Sequence, residues 1–158
     1  MDECIFCKII KGEIPCVKVY EDDDVLAFLD ISQTTKGHTL VVPKEHYDTF
    51  LSTPKEIMNK VMNVAQTIGQ SIIRNLHAKG VNVLTNCYPA AGQTVMHFHV
   101  HVIPRYANSD GLVIEFKENK LLEQMSLPSI ANSIKEDLKG ALNFRGVEVV
   151  ENDKNHGV

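Results

Sequence analysis

Alternating histidines near the middle of the chain constrain its fold more than any other feature. The stretch at 96–103 reads MHFHVHVI, so His97, His99 and His101 occupy every second position between apolar residues. Side chains alternate in this way along a strand, whereas a helix would scatter the three rings around its surface. We therefore predict a strand over 96–103 with one imidazole face and one core face, ended by Pro104, which has no N–H to donate.

Three imidazoles on one face allow two kinds of chemistry. Near pH 7 histidine serves as a nucleophile, a proton carrier or a metal ligand. In the loop at 87–94 that precedes the strand, Gly92 lets a ligand come close to the backbone, and Gln93 and Thr94 can donate hydrogen bonds to an anion. These neighbours favour attack on phosphorus through a phosphohistidine intermediate. A metal centre built on the three histidines is the alternative.

Length and composition are those of an ordinary globular domain. The chain has 158 residues, of which 44% are hydrophobic and 23% are charged, and we expect one domain over 1–158. The formal net charge is −4 and the basic residues form no patch, which argues against a nucleic-acid partner. The sequence contains neither a leader-like segment at its start nor an apolar run of about 18 residues, so we expect a cytoplasmic protein without a membrane partner.

A second chemical pattern, Cys4-x-x-Cys7, lies at the start of the chain. It is compatible with a redox pair, half of a zinc site or two packed thiols, although no strand precedes it as a thioredoxin-like motif requires. A zinc site needs two more ligands. The histidines that could supply them are His38, His46, His77, His97, His99, His101 and His156.

Periodicity and turn residues predict the remaining elements. We expect a short helix over 4–12, strands over 16–20, 25–29, 39–42 and 81–86, and a further short strand over 112–116. A long helix should start at a capping box with Thr53 and Pro54 and end at Gly80, with an apolar stripe from Ile57 to Leu76. Ser126 should open a last helix, and the tail at 151–158 should fray. On residue type alone, Asp30 after the second strand is more typical of a turn acceptor than of a ligand.

The motifs together resemble the histidine-triad (HIT) superfamily, in particular its Hint-like bacterial branch. The stretch HFHVHVI at 97–103 is similar to the defining pattern of three histidines separated by apolar residues. Upstream, IFCKII (5–10), EIP (13–15), LAFLDI (26–31) and HTLVVPK (38–44) resemble the same branch. The likeness covers a core at 4–105 and implies an α+β fold, with an antiparallel sheet, one long helix and a C-terminal helix, assembled as a homodimer.

The resemblance also implies a reaction and a set of site residues. His99 would attack an α-phosphorus to give a nucleotidyl-histidine that water cleaves, with His101 and His38 handling protons. Asp30 would take the ribose hydroxyls, which replaces its interpretation as a turn acceptor. The purine walls would be Ile5, Phe6, Ile9, Phe28 and Ile31, and the phosphate contacts Asn86, Gly92, Gln93, Thr94, His99 and His101. The substrates implied are phosphoramidates or other adenylyl conjugates; dinucleoside polyphosphates, or a regulatory role in which the nucleotide is only bound, are the alternatives.

Zinc is the cofactor that the resemblance implies. Relatives that hold structural zinc use two cysteines and two histidines, which would here be Cys4, Cys7, His46 and His97. In that case His97 would be a scaffold for the nucleophile and would take no part in the reaction. The chain departs from the branch after Arg105, because the extension at 106–150 lacks the usual Trp-Pro-Gly ending.

Overall fold

In the computed structural model, which describes residues 3–143, five strands form one antiparallel sheet. The strands are β1 (Lys18–Glu21), β2 (Val25–Leu29), β3 (Thr39–Pro43), β4 (Gly80–Leu84) and β5 (Val100–Arg105). They lie in the order β1-β2-β3-β5-β4. The helices are α1 (Ile5–Ile10), α2 (Lys55–Leu76), α3 (Leu127–Lys135) and α4 (Leu138–Asn143). This arrangement confirms the predicted α+β class and its antiparallel sheet, while the homodimer stays a prediction.

The described residues divide into two units. The first runs up to Ile114 and contains the sheet, α1, α2 and all the predicted site residues. The second starts at Glu115 and contains α3 and α4, so the single C-terminal helix expected after Ser126 is in fact two short helices. The assignment of 1–158 to one domain stays a prediction, and the tail at 151–158 lies outside the described residues. Among those residues no helix is long and apolar enough to span a membrane.

Helices cover both faces of the sheet, which explains why β2 and β3 are buried along their length. On one face the stripe Val61, Ala65, Ile68 and Ile72 of α2 packs against alternate residues of the central strands. Phe98, Val100 and Val102 belong to this cluster. The predicted division of the histidine segment into a core face and an imidazole face is therefore confirmed.

The opposite face carries the histidines and is covered by α1. Phe6 and Ile9 of α1 pack on Leu26, Phe28, Leu40 and Val42 of β2 and β3. Within the sheet Leu40 pairs with His101, and Leu84 at the end of β4 pairs with His101 from the other side. The triad therefore lies beside the apolar side chains under α1, near the centre of this face.

The histidine strand differs from the sequence prediction at both ends. β5 begins at Val100 and not at Met96, so His97 and His99 precede the regular ladder. Pro104 lies inside β5 and does not end it. The reason is that β3 stops pairing with β5 at Val102, so Pro104 faces no backbone acceptor there, and its own carbonyl accepts a bond of 2.6 Å from the Thr35 hydroxyl.

Both ends of the long helix were also predicted wrongly, and one predicted strand is absent from the described residues. Thr53 does not cap α2, because its hydroxyl donates to the Thr49 carbonyl at 2.7 Å, and the capping box belongs to the preceding 3-10 turn, Phe50–Ser52. The helix ends at Leu76 because His77 adopts a left-handed conformation (φ 58°, ψ 32°), and Gly80 is the first residue of β4. The strand expected over 112–116 is irregular chain.

Candidate active site and metal centre

One ring nitrogen of His99 is hydrogen-bonded to the backbone, and the other is free to react. Its Nδ1 lies 2.7 Å from the carbonyl oxygen of His97, which can only accept, so Nδ1 carries the proton and Nε2 keeps its lone pair. The edge-to-face ring of Phe6, with centroids 5.0 Å apart, covers the imidazole. Burial lowers the pKa of His99, which keeps the ring neutral near pH 7. A buried, neutral imidazole with a free lone pair is a competent nucleophile.

His38 and His101 form a pair beside it. Nε2 of His38 and Nδ1 of His101 are 3.0 Å apart, and Oδ2 of Asp30 lies 3.8 Å from the same Nε2. The Asp30 carboxylate favours a proton on His38 Nε2, which makes His101 Nδ1 the acceptor and leaves the His101 proton on Nε2. Burial, and then the neighbouring His99 and His38, lower the pKa of His101 to about 4. A proton can therefore move between the two rings along this contact.

Asp30 has the predicted turn role, and its role as acceptor for the ribose hydroxyls stays a prediction. Its Oδ1 accepts a bond of 2.8 Å from the backbone N–H of Ser32, which is the predicted turn, and its Oδ2 faces His38. Gln33, which the sequence analysis did not single out, closes the same loop by donating to the carbonyls of Asp30 and His38 at 2.6 and 2.8 Å. The loop holds the carboxylate at the edge of the histidine cluster on the β2 side.

The predicted purine walls are only partly brought together. Phe6, Ile9 and Phe28 are buried in the cluster under α1, where Phe6 and Phe28 contact edge to face at 5.6 Å. Ile5 is 45% exposed and Ile31 is 99% exposed, so neither side chain is held against that cluster. The apolar slot expected for the base therefore has a preformed floor and open sides.

The loop before the triad is held by its own polar groups. Buried Gln93 accepts from the Tyr88 N–H at 2.7 Å and donates to the carbonyls of Asp48 and Val95 at 2.7 and 2.9 Å. Its carboxamide is therefore occupied with backbone, and it shapes the loop. Asn86 donates weakly to the Gly92 carbonyl at 3.5 Å, and Thr94 is exposed, so both can turn to a ligand.

The four predicted zinc ligands form a second cluster. The Sγ atoms of Cys4 and Cys7 and the Nδ1 atoms of His46 and His97 all lie within 4.8 Å of one another. The sulfur-to-nitrogen distances are 3.5 Å (Cys4 to His97), 3.6 Å (Cys7 to His97) and 3.3 Å (Cys7 to His46). Ordinary zinc bond lengths place sulfur and nitrogen about 3.6 Å apart along the edge of a tetrahedron. The donor set and its spacing therefore fit a closed structural zinc site.

Neighbouring groups orient the four ligands and set their protonation so that they can bind a cation. His97 Nε2 donates to the Pro43 carbonyl at 2.8 Å and His46 Nε2 donates to Asp48 Oδ1 at 2.9 Å, so both Nδ1 lone pairs point at the sulfurs. Burial lowers the pKa of His97 to about 4, which keeps that ring neutral. Burial and the adjacent Cys4 raise the pKa of Cys7, so this thiol pair needs a cation to ionise fully.

Besides Gln33, sequence reasoning missed two further polar residues that hold the site. Asp48, two residues after a predicted ligand, orients His46, and its proximity to that ligand was the available signal. Thr85 donates its hydroxyl to the His99 carbonyl at 2.7 Å, next to the point where the β4–β5 ladder stops. No local pattern could have shown this contact, because it depends on where strand pairing ends.

Comparisons with known proteins identify the family of this chain. The family model described as "HIT domain" matches residues 11–108. "Protein hit" of Bacillus subtilis is 49% identical over 110 residues, which cover 70% of this chain and 76% of that protein. "Adenylylsulfatase HINT3" of Arabidopsis thaliana is 41% identical over 104 residues, covering 66% of this chain and 53% of that protein.

Solved structures share both fold and sequence with this chain. The crystal structure of a HIT family protein from Bacillus anthracis has a TM-score of 0.80 and 47% identity, and covers 86% of this chain and 97% of that chain. A zinc-bound histidine triad family protein from Mycobacterium smegmatis has a TM-score of 0.66 and 35% identity, covering 89% and 98%. With the family model spanning more than half of the sequence and the triad in place, this chain belongs to the HIT family.

Proposed function

We propose that this protein hydrolyses purine nucleotide derivatives at the α-phosphorus, with His99 as the nucleophile. The observation that carries the proposal is the bond from His99 Nδ1 to the His97 carbonyl, which fixes the tautomer and leaves Nε2 free. Two relatives, one named as an adenylylsulfatase and one described as a zinc-bound histidine triad family protein, support the reaction class and the metal.

The reaction is a double displacement. Nε2 of His99 forms a bond to the α-phosphorus while the bond from phosphorus to the leaving group breaks, and the leaving group departs with the electron pair of that bond. Water then attacks the phosphorus, the N–P bond breaks, and the nucleoside monophosphate is released. Splitting one displacement into two lowers each barrier, and the lone pair returns to Nε2 at the end of the cycle.

Proton transfer falls to the His101 and His38 pair. With the anionic substrate bound, the pair holds one extra proton, and the Nε2–H of doubly protonated His101 gives that proton to the leaving group in the first step, which leaves both rings neutral. In the second step the attacking water gives a proton to His101 Nε2, which restores the proton lost in the first step, and His38 shares the charge of the pair through the contact of 3.0 Å. Because burial lowers the pKa of His101 to about 4 in the protein without substrate, the pair takes up its extra proton together with the phosphate, whose negative charge favours the protonated ring.

The two sides of the nucleotide have different contacts. Oδ2 of Asp30 is the acceptor for the ribose hydroxyls, since Oδ1 is already bonded to Ser32. Phe6 and Phe28 provide the apolar floor for the base, and exposed Ile31 lies beside Asp30 where it can close over a bound nucleoside.

Zinc is proposed as a structural cofactor at Cys4, Cys7, His46 and His97. When bound there it supplies charge that keeps the thiols ionised and a crosslink between α1, the segment after β3 and the segment before β5. His97 then acts on the reaction only through its backbone carbonyl, which orients His99.

Turnover of a small substrate panel tests the function. We expect the wild type to release AMP from an adenosine phosphoramidate, and the His99→Ala variant to lose roughly a thousandfold or more of that rate. His77→Asn is a matched control, because His77 is exposed, lies outside the site and has a left-handed backbone that asparagine accepts. A wild type that turns over no member of the panel would refute the proposal.

The panel also includes adenylyl sulfate and a diadenosine polyphosphate. The name of the plant relative favours the sulfate as a second leaving group. Faster turnover of the sulfate than of the phosphoramidate would identify an adenylylsulfatase, and preference for the dinucleotide would identify a polyphosphate hydrolase.

A further inference from the structure

Tyr88 has a backbone conformation that its side chain makes unfavourable. Its φ of 72° and ψ of 159° lie in a region that is essentially reserved for glycine. Among the described residues only one other non-glycine has a positive φ, His77, and that residue is in the ordinary left-handed region. Pro89, which follows, restricts the residue before it to extended ψ values and so adds to the constraint.

Three hydrogen bonds hold Tyr88 in this conformation. Its N–H donates to Gln93 Oε1 at 2.7 Å, and its carbonyl accepts from the N–H groups of Ala91 and Gln93 at 3.0 and 3.1 Å. Gln93 is itself buried and is tied to the Asp48 and Val95 carbonyls. The strain is therefore imposed by a rigid part of the active-site loop.

The ring of Tyr88 contributes little to the fold. Tyr88 is 54% exposed and belongs to neither of the two core clusters. A glycine would hold the same loop without strain, so a tyrosine here costs stability and gains no core packing in return. The exposed ring is therefore available for contact with a bound molecule.

The position of the loop indicates which part of the substrate that is. Asp30 follows β2 on one side of the histidines, while the loop containing Tyr88 follows β4 on the other side, beyond β5. The loop leaves the sheet after Leu84, which pairs with His101, and Thr85 is bonded to His99. If the nucleoside extends from His99 towards Asp30, the leaving group extends towards Tyr88.

We propose that Tyr88 forms a leaving-group subsite whose ring stacks on a flat, aromatic leaving group, and this rests on the proposed function. Stacking requires a rigid ring presented from a rigid backbone, which the Gln93 bonds provide. The subsite would make the enzyme prefer an aromatic amine or a second base over a leaving group without a ring.

The test compares two adenosine phosphoramidates, one of 2-phenylethylamine and one of propylamine, in the wild type, Tyr88→Ala, Tyr88→Gly and Tyr88→Phe. We expect the ratio of kcat/KM between the aromatic and the alkyl substrate to fall roughly 3- to 10-fold in the alanine and glycine variants, the factor that an aromatic stack contributes. It should be unchanged in the phenylalanine variant. Tyr20→Ala, at another partly exposed tyrosine, is the control and should keep the wild-type ratio.

Two further readouts separate the explanations. Tyr88→Gly should melt at a higher temperature than Tyr88→Ala, because both lack the ring but only alanine keeps the strain. Dissociation constants of the same two compounds in the His99→Ala background report on the subsite without turnover, so a failure of the proposed function leaves the subsite testable. An unchanged substrate ratio and unchanged relative affinities in Tyr88→Ala and Tyr88→Gly would overturn the subsite.

Discussion

The Asp48→Ala substitution tests how the metal centre is held together. Asp48 Oδ1 accepts the Nε2–H of His46 at 2.9 Å, and this bond aims the other nitrogen of the ring at Cys7 Sγ, 3.3 Å away. Removing such a partner of a metal-bound histidine costs about 10- to 100-fold in metal affinity. Because the Asp48 side chain is 68% exposed, water can partly replace it, and we expect a loss of about 10- to 30-fold.

The loss of zinc affinity lowers the free energy of unfolding by a corresponding amount. With free zinc well above both dissociation constants, the free energy of unfolding falls by RT times the logarithm of the affinity ratio, about 1.4 to 2 kcal/mol. For a cooperative unit of this size the melting temperature should fall by about 5 to 8 °C. Asp48→Asn should lose less, since its amide oxygen still accepts.

The assay is thermal unfolding of the wild type and the variants in buffered zinc and again with excess chelator, with bound zinc measured in parallel. We expect about one zinc per chain in the wild type and a difference in melting temperature that disappears in chelator. Asp23→Ala, which removes an exposed carboxylate from the β1–β2 turn, should have no zinc-dependent effect. An equal loss of stability with and without zinc would refute the reasoning, because Asp48 would then act through the fold alone.

Three further predictions concern His101, Thr85 and Gly37. The pKa of His101 is about 4 in the folded protein and 6.5 in the unfolded chain, so its stabilising contribution is complete above pH 6.5 and is lost as the pH falls through 4. Denaturant titrations over this pH range measure the effect. His101→Gln should remove about 2 kcal/mol of the pH dependence, after discounting for partial exposure. Thr85→Val should lower kcat with little change in KM, since it releases the His99 carbonyl, and Thr85→Ser should restore it. Gly37→Ala should lower the free energy of unfolding by about 1 kcal/mol more than Gly12→Ala. Both glycines have positive φ, but only at Gly37 would the new Cβ lie 2.6 Å from a carbon of the Leu76 side chain, which must then shift.

The sequence predicted the chemistry of the histidine segment better than its pairing. Alternation of imidazole and apolar side chains is a local property, and it correctly separates the α2 face from the α1 face of the sheet. The start of β5 at Val100 is not local, because it depends on which residues β3 and β4 can still reach. The same cause explains Pro104, which is tolerated inside a central strand only because β3 has already ended.

The metal cluster was found through residue type and resemblance, whereas its surroundings needed the structure. A Cys-x-x-Cys pair leaves its partners open among seven histidines, and only the folded chain brings His46 and His97 to the sulfurs. The carbonyl of Pro43 and the carboxylate of Asp48 complete the arrangement from positions that no spacing rule predicts. Ile31 is the opposite case, since resemblance places it at the base but its side chain is almost fully exposed.

Covalent capture of the nucleotide on His99 tests the central claim most directly. The measurement is intact mass, followed by peptide mapping, after rapid mixing with an adenosine phosphoramidate, in the wild type and in His99→Ala. We predict one transient adenylyl group on the wild type, mapped to His99, and none on the variant. Release of AMP at an undiminished rate by His99→Ala, or an adduct mapped to another residue, would contradict the account.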